Sequence, residues 1–191
     1  MWIFLLYKII AISCSFSNST LLSTTSKVAL RTQIFQNEKW LQIDTGGLHL
    51  FYPVEWEKKK MENNPSSLFI FAPESTIRDK FRDNINFLRQ DLNGKDYDLE
   101  AYIKLTLDQI AQNTLESNIL SRSVRKKKGQ SFAQIDYRCI LNTMHLEFHQ
   151  IVWIEKGNAY VLTLTTLDYP NNRNLKSGIK ILEQAEFHAQ P

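Results

Sequence analysis

In His145-Leu146-Glu147-Phe148-His149, two imidazoles and a carboxylate occupy alternate positions, and Asp136 and Arg138, themselves two apart, precede them. Alternate residues of an extended chain point to one side, so this spacing gathers His145, Glu147 and His149 on one strand face. Neighbours in that row stand about 6.8 Å apart, close enough to share a cation, whereas His145 and His149 stand about 13 Å apart and cannot both reach one ion. Asp136, Glu147 and His149 are therefore the candidate ligand set of a metal-binding protein or a metal-dependent enzyme. Arg138 argues against a cation there, because a guanidinium opposite Glu147 repels it and already gives that carboxylate a partner. The competing reading is an ion-paired, solvated surface with no catalytic residue, no metal and no cofactor, and it is the one we prefer.

Periodicity supplies the elements that position these side chains. Phe132 to Leu141 alternates apolar and polar residues, and Met144 to Ile154 follows as a second strand. Centring a turn on Asn142-Thr143 sets Leu141 opposite Met144, Cys139 opposite Leu146 and Tyr137 opposite Phe148, which makes one face apolar throughout. The other face then pairs Arg138 with Glu147, Asp136 with His149 and Phe132 with Trp153. It is polar near the turn and apolar beyond. A helix should therefore cover Phe132, Ile151 and Trp153 and leave Asp136, Arg138, His145, Glu147 and His149 open to solvent. Cys139 falls on the apolar side, where a thiol is inert packing.

Around this hairpin the chain reads as further strands and two helices. Leu48 to Tyr52 and Leu68 to Phe71 are strands closed by Pro53 and Pro73, which cannot donate to a ladder. Thr45-Gly46-Gly47 is a turn before the first of them. Asn84 to Leu88 is a third strand, followed by the turn-rich Asn93 to Asp96. From Leu99 the apolar positions Ile103, Leu107 and Ile110 recur at helical spacing, with Asp98 as the cap and Lys104 and Asp108 one turn apart. Ile119 to Val124 leads through the basic stretch Arg125 to Gly129 into the hairpin, and Gly157-Asn158 turns the chain into the strand Tyr160 to Thr166. Asn172 to Gln184 is a last helix, with Leu175, Ile179 and Leu182 on one face. The runs Lys58-Lys59-Lys60 and Arg125 to Lys128 read as solvated loops, with anionic lipid headgroups as the alternative contact.

The N-terminus concerns location. Residues 2–12 are apolar apart from Lys8, too short a run to cross a hydrocarbon core of about 30 Å but suited to a signal peptide. Ala11-Ile12-Ser13-Cys14 resembles the lipobox of bacterial lipoproteins, in which the peptide is cut before the Cys and that Cys receives lipid. Nine of the twelve residues from Ser15 to Ser26 are Ser, Thr or Asn, the composition of a flexible tether. The expected organisation is a signal peptide over 1–13, a lipidated Cys14 with a Ser/Thr-rich tether over 14–30, and a folded domain over 31–191. With Cys14 carrying lipid, Cys139 is the one thiol of the mature chain and no internal disulfide can form.

The chain's 191 residues, 43% hydrophobic and 23% charged, suit a single globular domain. Its 23 basic and 20 acidic side chains leave a net charge of +3, too weak a field for nucleic acid. Signatures of serine hydrolases, zinc peptidases, phosphate-binding loops and zinc-spaced cysteine pairs are absent.

The order of elements resembles a known family. Leu48-His49-Leu50-Phe51-Tyr52-Pro53-Val54-Glu55-Trp56 is similar to the opening strand of PsbP-like domains, in which an aromatic, a proline and, three residues on, a tryptophan follow an extended run. Phe81-Arg82-Asp83-Asn84-Ile85-Asn86-Phe87 resembles that family's Asn-centred strand before its first long helix. The resemblance covers about residues 45–188 and implies an α+β fold, an antiparallel sheet with helices on both faces (an α/β/α sandwich). It further implies a non-catalytic binding or assembly module. Together with the N-terminal signals, it leads to the expectation of a membrane-anchored lipoprotein on the periplasmic or extracytoplasmic face of the bacterial cell envelope, with a protein partner the sequence does not name. The family also includes a Ran-binding import factor and DcrB-type bacterial lipoproteins, and a photosystem II-associated subunit is the alternative role. The tether stands where the photosynthetic member has a structured, charged docking region.

Overall fold

The computed structural model of the protein describes residues 32–35, 38–60, 67–74, 81–170 and 172–187. The signal peptide, Cys14 and the tether lie outside the described residues. Eleven strands and two helices follow in the order β1 (Thr32–Phe35), β2 (Glu38–Thr45), β3 (Leu48–Pro53), β4 (Glu57–Lys60), β5 (Ser67–Phe71), β6 (Asn84–Asp91), α1 (Leu99–Asn113), β7 (Leu115–Lys127), β8 (Gln130–Leu141), β9 (Met144–Glu155), β10 (Asn158–Leu167), α2 (Arg173–Gln184) and β11 (Glu186–Phe187). A seven-stranded sheet runs β4-β5-β6-β10-β9-β8-β7, and a four-stranded one runs β1-β2-β3-β11. Every pairing is antiparallel.

Each face of the large sheet buries its own core. On one, Ala133, Ile135, Tyr137 and Cys139 of β8 and Leu146, Phe148 and Val152 of β9 pack with Tyr102, Ile103 and Ile110 of α1. The rings of Tyr137 and Phe148 stack at 4.6 Å, as expected for residues directly opposite each other. On the other, Ile151, Trp153, Tyr160 and Leu162 pack with Ile181 and Leu182 of α2 and with Trp40, Leu48 and Leu50 of the small sheet. Helices thus lie on both faces, and the four-stranded sheet shares one face with α2.

The helix starts follow their caps. Asp98 accepts a hydrogen bond from the Ala101 amide at 2.7 Å, and Asn172 accepts one from the Asn174 amide at 2.9 Å. Each satisfies a backbone donor that has no partner within the helix.

Several sequence expectations are corrected. Gly46-Gly47 turns β2 into β3, so two strands precede Leu48. Lys58 to Lys60 belong to edge strand β4, held on β5 through the pairs Lys58 with Ile70 and Lys60 with Leu68. Arg125 to Lys127 likewise extend β7, and Lys128-Gly129 alone make the turn. The β9–β10 turn sits one residue earlier than expected, on Lys156-Gly157, with φ of 46° and 72°. Two consecutive residues with positive φ match the right-handed twist of a hairpin, and glycine adopts that conformation without a Cβ penalty.

Candidate functional site

The β8–β9 hairpin has the register read from its sequence: Cys139 opposite Leu146, Arg138 opposite Glu147 and Asp136 opposite His149. The four polar side chains form one network. His149 lies between two carboxylates, with Nδ1 2.9 Å from Asp136 Oδ1 and Nε2 2.9 Å from Glu147 Oε1. Arg138 closes on the other oxygen of Glu147, donating from Nε at 2.9 Å and from Nη2 at 2.7 Å. His145 is exposed and lies opposite Ile140, apart from the network.

The cluster is not the open surface expected. Side-chain exposure is 13% for His149, 13% for Asp136 and 10% for Glu147, and only Arg138 stays half in water at 46%. Neighbouring strands supply partners that the hairpin alone does not reveal. Ser121 of β7 donates to Asp136 Oδ2 at 2.5 Å, and Gln134 donates to both of its oxygens at 3.2 and 3.3 Å. Asp168, just past β10, lies 3.4 Å from Arg138 Nε and is tied to the hairpin by its amide bond to the His145 carbonyl. Carrying the β9–β10 register to its end would have found Asp168, since Leu167 lies opposite Leu146.

The protonation states follow from this packing. Burial pulls the pKa of His149 down, but its hydrogen bond to Asp136 and the charges of Asp136 and Glu147 outweigh that, and the net shift is upward. Burial pushes Asp136 upward, but hydrogen bonds from His149, Ser121 and Gln134 outweigh it, and its carboxyl lies below its ordinary value. A carboxylate oxygen 2.9 Å from each ring nitrogen favours the imidazolium form of His149, which donates from both. Among the described residues, no group of three or more His, Cys, Asp or Glu side chains is arranged to hold a metal ion. Asp136, Glu147 and His149 come together, but they face each other instead of a common point. Cys139 is buried, and desolvation pushes its thiol up to about 11, so it stays protonated and a poor nucleophile at neutral pH.

An antiparallel sheet with a helix on each face, and a self-neutralised polar cluster on its β8–β9 hairpin, define an α+β sandwich of a recognisable type. The chain adopts the PsbP-like fold. The solution structure of the cyanobacterial PsbP of Synechocystis matches it with a TM-score of 0.52 and 11% identity, over 88% of this chain and 98% of that one. The Ran-binding protein Mog1p of Saccharomyces cerevisiae matches with a TM-score of 0.55 and 8% identity, over 78% and 96%. LpqN of Mycobacterium tuberculosis, a protein involved in cell envelope biogenesis, matches with a TM-score of 0.54 and 15% identity, over 85% and 93%. No protein-family model matches the sequence, and no curated protein is similar to it in sequence.

Proposed function

We propose that the protein is a non-catalytic binding or assembly module of the bacterial cell envelope, anchored to a membrane by lipid on Cys14. The observation that carries the non-catalytic part is the closure of the hairpin network. Both nitrogens of His149 and both oxygens of Glu147 are engaged within it, so neither residue of this network is poised as a base toward a substrate. The envelope part is supported by the order of apolar run, Cys14 and Ser/Thr-rich segment, and by the likeness of fold to LpqN. Among the described residues no helix is long and apolar enough to cross a membrane.

The test is to express the full chain and its Cys14→Ser variant in a bacterium fed a clickable fatty acid, then separate detergent and aqueous phases. The wild type should take up label and enter the detergent phase, and the variant should do neither. An unlabelled wild type, or the same phase distribution for both, would refute the anchor.

A further inference from the structure

Beyond the cluster, the same sheet face turns apolar, and α2 does not lie flush upon it. A cavity of about 320 Å³ remains. Phe132, Ile151 and Trp153 floor it, Ile179 and Leu182 of α2 wall one side, and Arg125 of β7 bounds the other. Lys127 reaches from β7 to the end of α2, its ammonium donating to the carbonyls of Glu183 and Ala185 at 2.8 and 3.0 Å. This bond ties the helix end to the sheet and fixes the width of the gap. Arg125 forms no ion pair among the described residues.

The charges around the cavity are unequal. Arg125 and Lys127 are positive and Glu183 is negative, while His149 at one end belongs to a network in which the charges of His149 and Arg138 balance those of Asp136 and Glu147. The lining therefore keeps one unbalanced positive charge beside an apolar floor. Such a site suits a ligand with both an anionic and a hydrocarbon part. Its volume equals that of about ten waters in the liquid, enough for one short alkyl chain but not for the two chains of a bilayer phospholipid.

We infer that this cavity binds a single-chain amphiphile with an anionic head, of the fatty-acid class, with its chain over Phe132, Ile151 and Trp153 and its carboxylate on Arg125. The guanidinium fork matches a carboxylate with two parallel hydrogen bonds. The site does not depend on lipidation of Cys14.

Decanoate and decanol share a chain and differ in charge, and they are the probes. Both are titrated into the full chain at pH 7 by calorimetry, while the Trp153 indole signal is followed by NMR. Decanoate should bind at least about tenfold more tightly than decanol, the range expected for a charge-assisted pair, and should shift Trp153. Arg125→Gln should bring decanoate down to the level of decanol, and Ile179→Trp, which fills the cavity, should abolish binding of both. Equal affinities, an Arg125→Gln variant that keeps the preference, or binding that leaves Trp153 unmoved would overturn the site. So would a chain that ignores decanoate but binds phosphatidylglycerol vesicles, since the basic rim would then belong to a lipid surface. None of these results bears on the partitioning test for Cys14.

Discussion

Replacing His149 with Gln should cost the fold about 2–3 kcal/mol near pH 6, and the cost should shrink as the pH rises. The substitution removes a cation lying between two carboxylates at 2.9 Å from each, in a site where all three side chains are at least 87% shielded from water. Stripping one partner from a buried ion pair costs about 3–5 kcal/mol. The lower figure applies because Arg138 still pairs Glu147, Ser121 and Gln134 still bond Asp136, and the new amide recovers one neutral hydrogen bond. His149 has a raised pKa in the fold, so its contribution is complete below the unfolded value of about 6.5 and is lost as pH rises through the folded one. Asp136 has a lowered pKa, so its contribution is complete above about 3.8 and is lost on acidification through its folded value. Together they give most between those two values. Urea unfolding of both proteins at pH 6 and pH 9 measures this directly. A difference that stays constant or grows toward pH 9 would refute the imidazolium. Stoichiometric zinc binding, lost in both Glu147→Ala and His149→Ala, would restore the metal site in its place.

Two further substitutions probe the frame that holds this hairpin. Gly178→Ala should lower the melting temperature by an amount equivalent to about 1–3 kcal/mol, because a Cβ there would stand 2.5 Å from Cδ1 of Leu164, a fully buried side chain with nowhere to retreat; an unchanged melt would show that α2 can lift from the sheet. Thr143→Gly should stabilise by about 1 kcal/mol in chemical denaturation, since a β-branched residue at φ 68° occupies a region that glycine enters freely, and a loss of stability would mean that the threonine side chain makes a compensating contact.

The register of the central hairpin was legible because the residues near its turn alternate, from Gln134 to Cys139 and from His145 to His149, and only one turn position separates apolar from polar faces. α1 was legible from its spacing and its Asp98 cap. β2 was not, because its buried residues Trp40 and Ile43 lie three apart, out of step with a period of two, and no alternation shows. β4 was hidden by composition: three lysines look like a loop, although lysine is also the residue that protects a sheet edge. For the site, the sequence showed which residues meet but not how deeply they lie. Ser121, which bonds Asp136, and Asp168, which pairs with Arg138, come from elsewhere in the chain, and no local pattern carries that information.

Strand β11 is two residues long, yet much depends on it. Glu186 and Phe187 pair with His49 and Leu48, and the Phe187 ring lies 3.9 Å from that of Tyr160 and 6.1 Å from that of Trp153. The four-stranded sheet therefore gains its β11 edge only after the whole β7–β10 meander has been translated. By contrast, the meander from β7 to β10 closes through successive two-residue turns, with little loop entropy to overcome. A growing chain can complete this meander while β2 and β3 still lack their C-terminal neighbour. Replacing Phe187 with Ala would uncover Trp153 and Tyr160 together, so β11 acts as a latch on the core these rings share with α2.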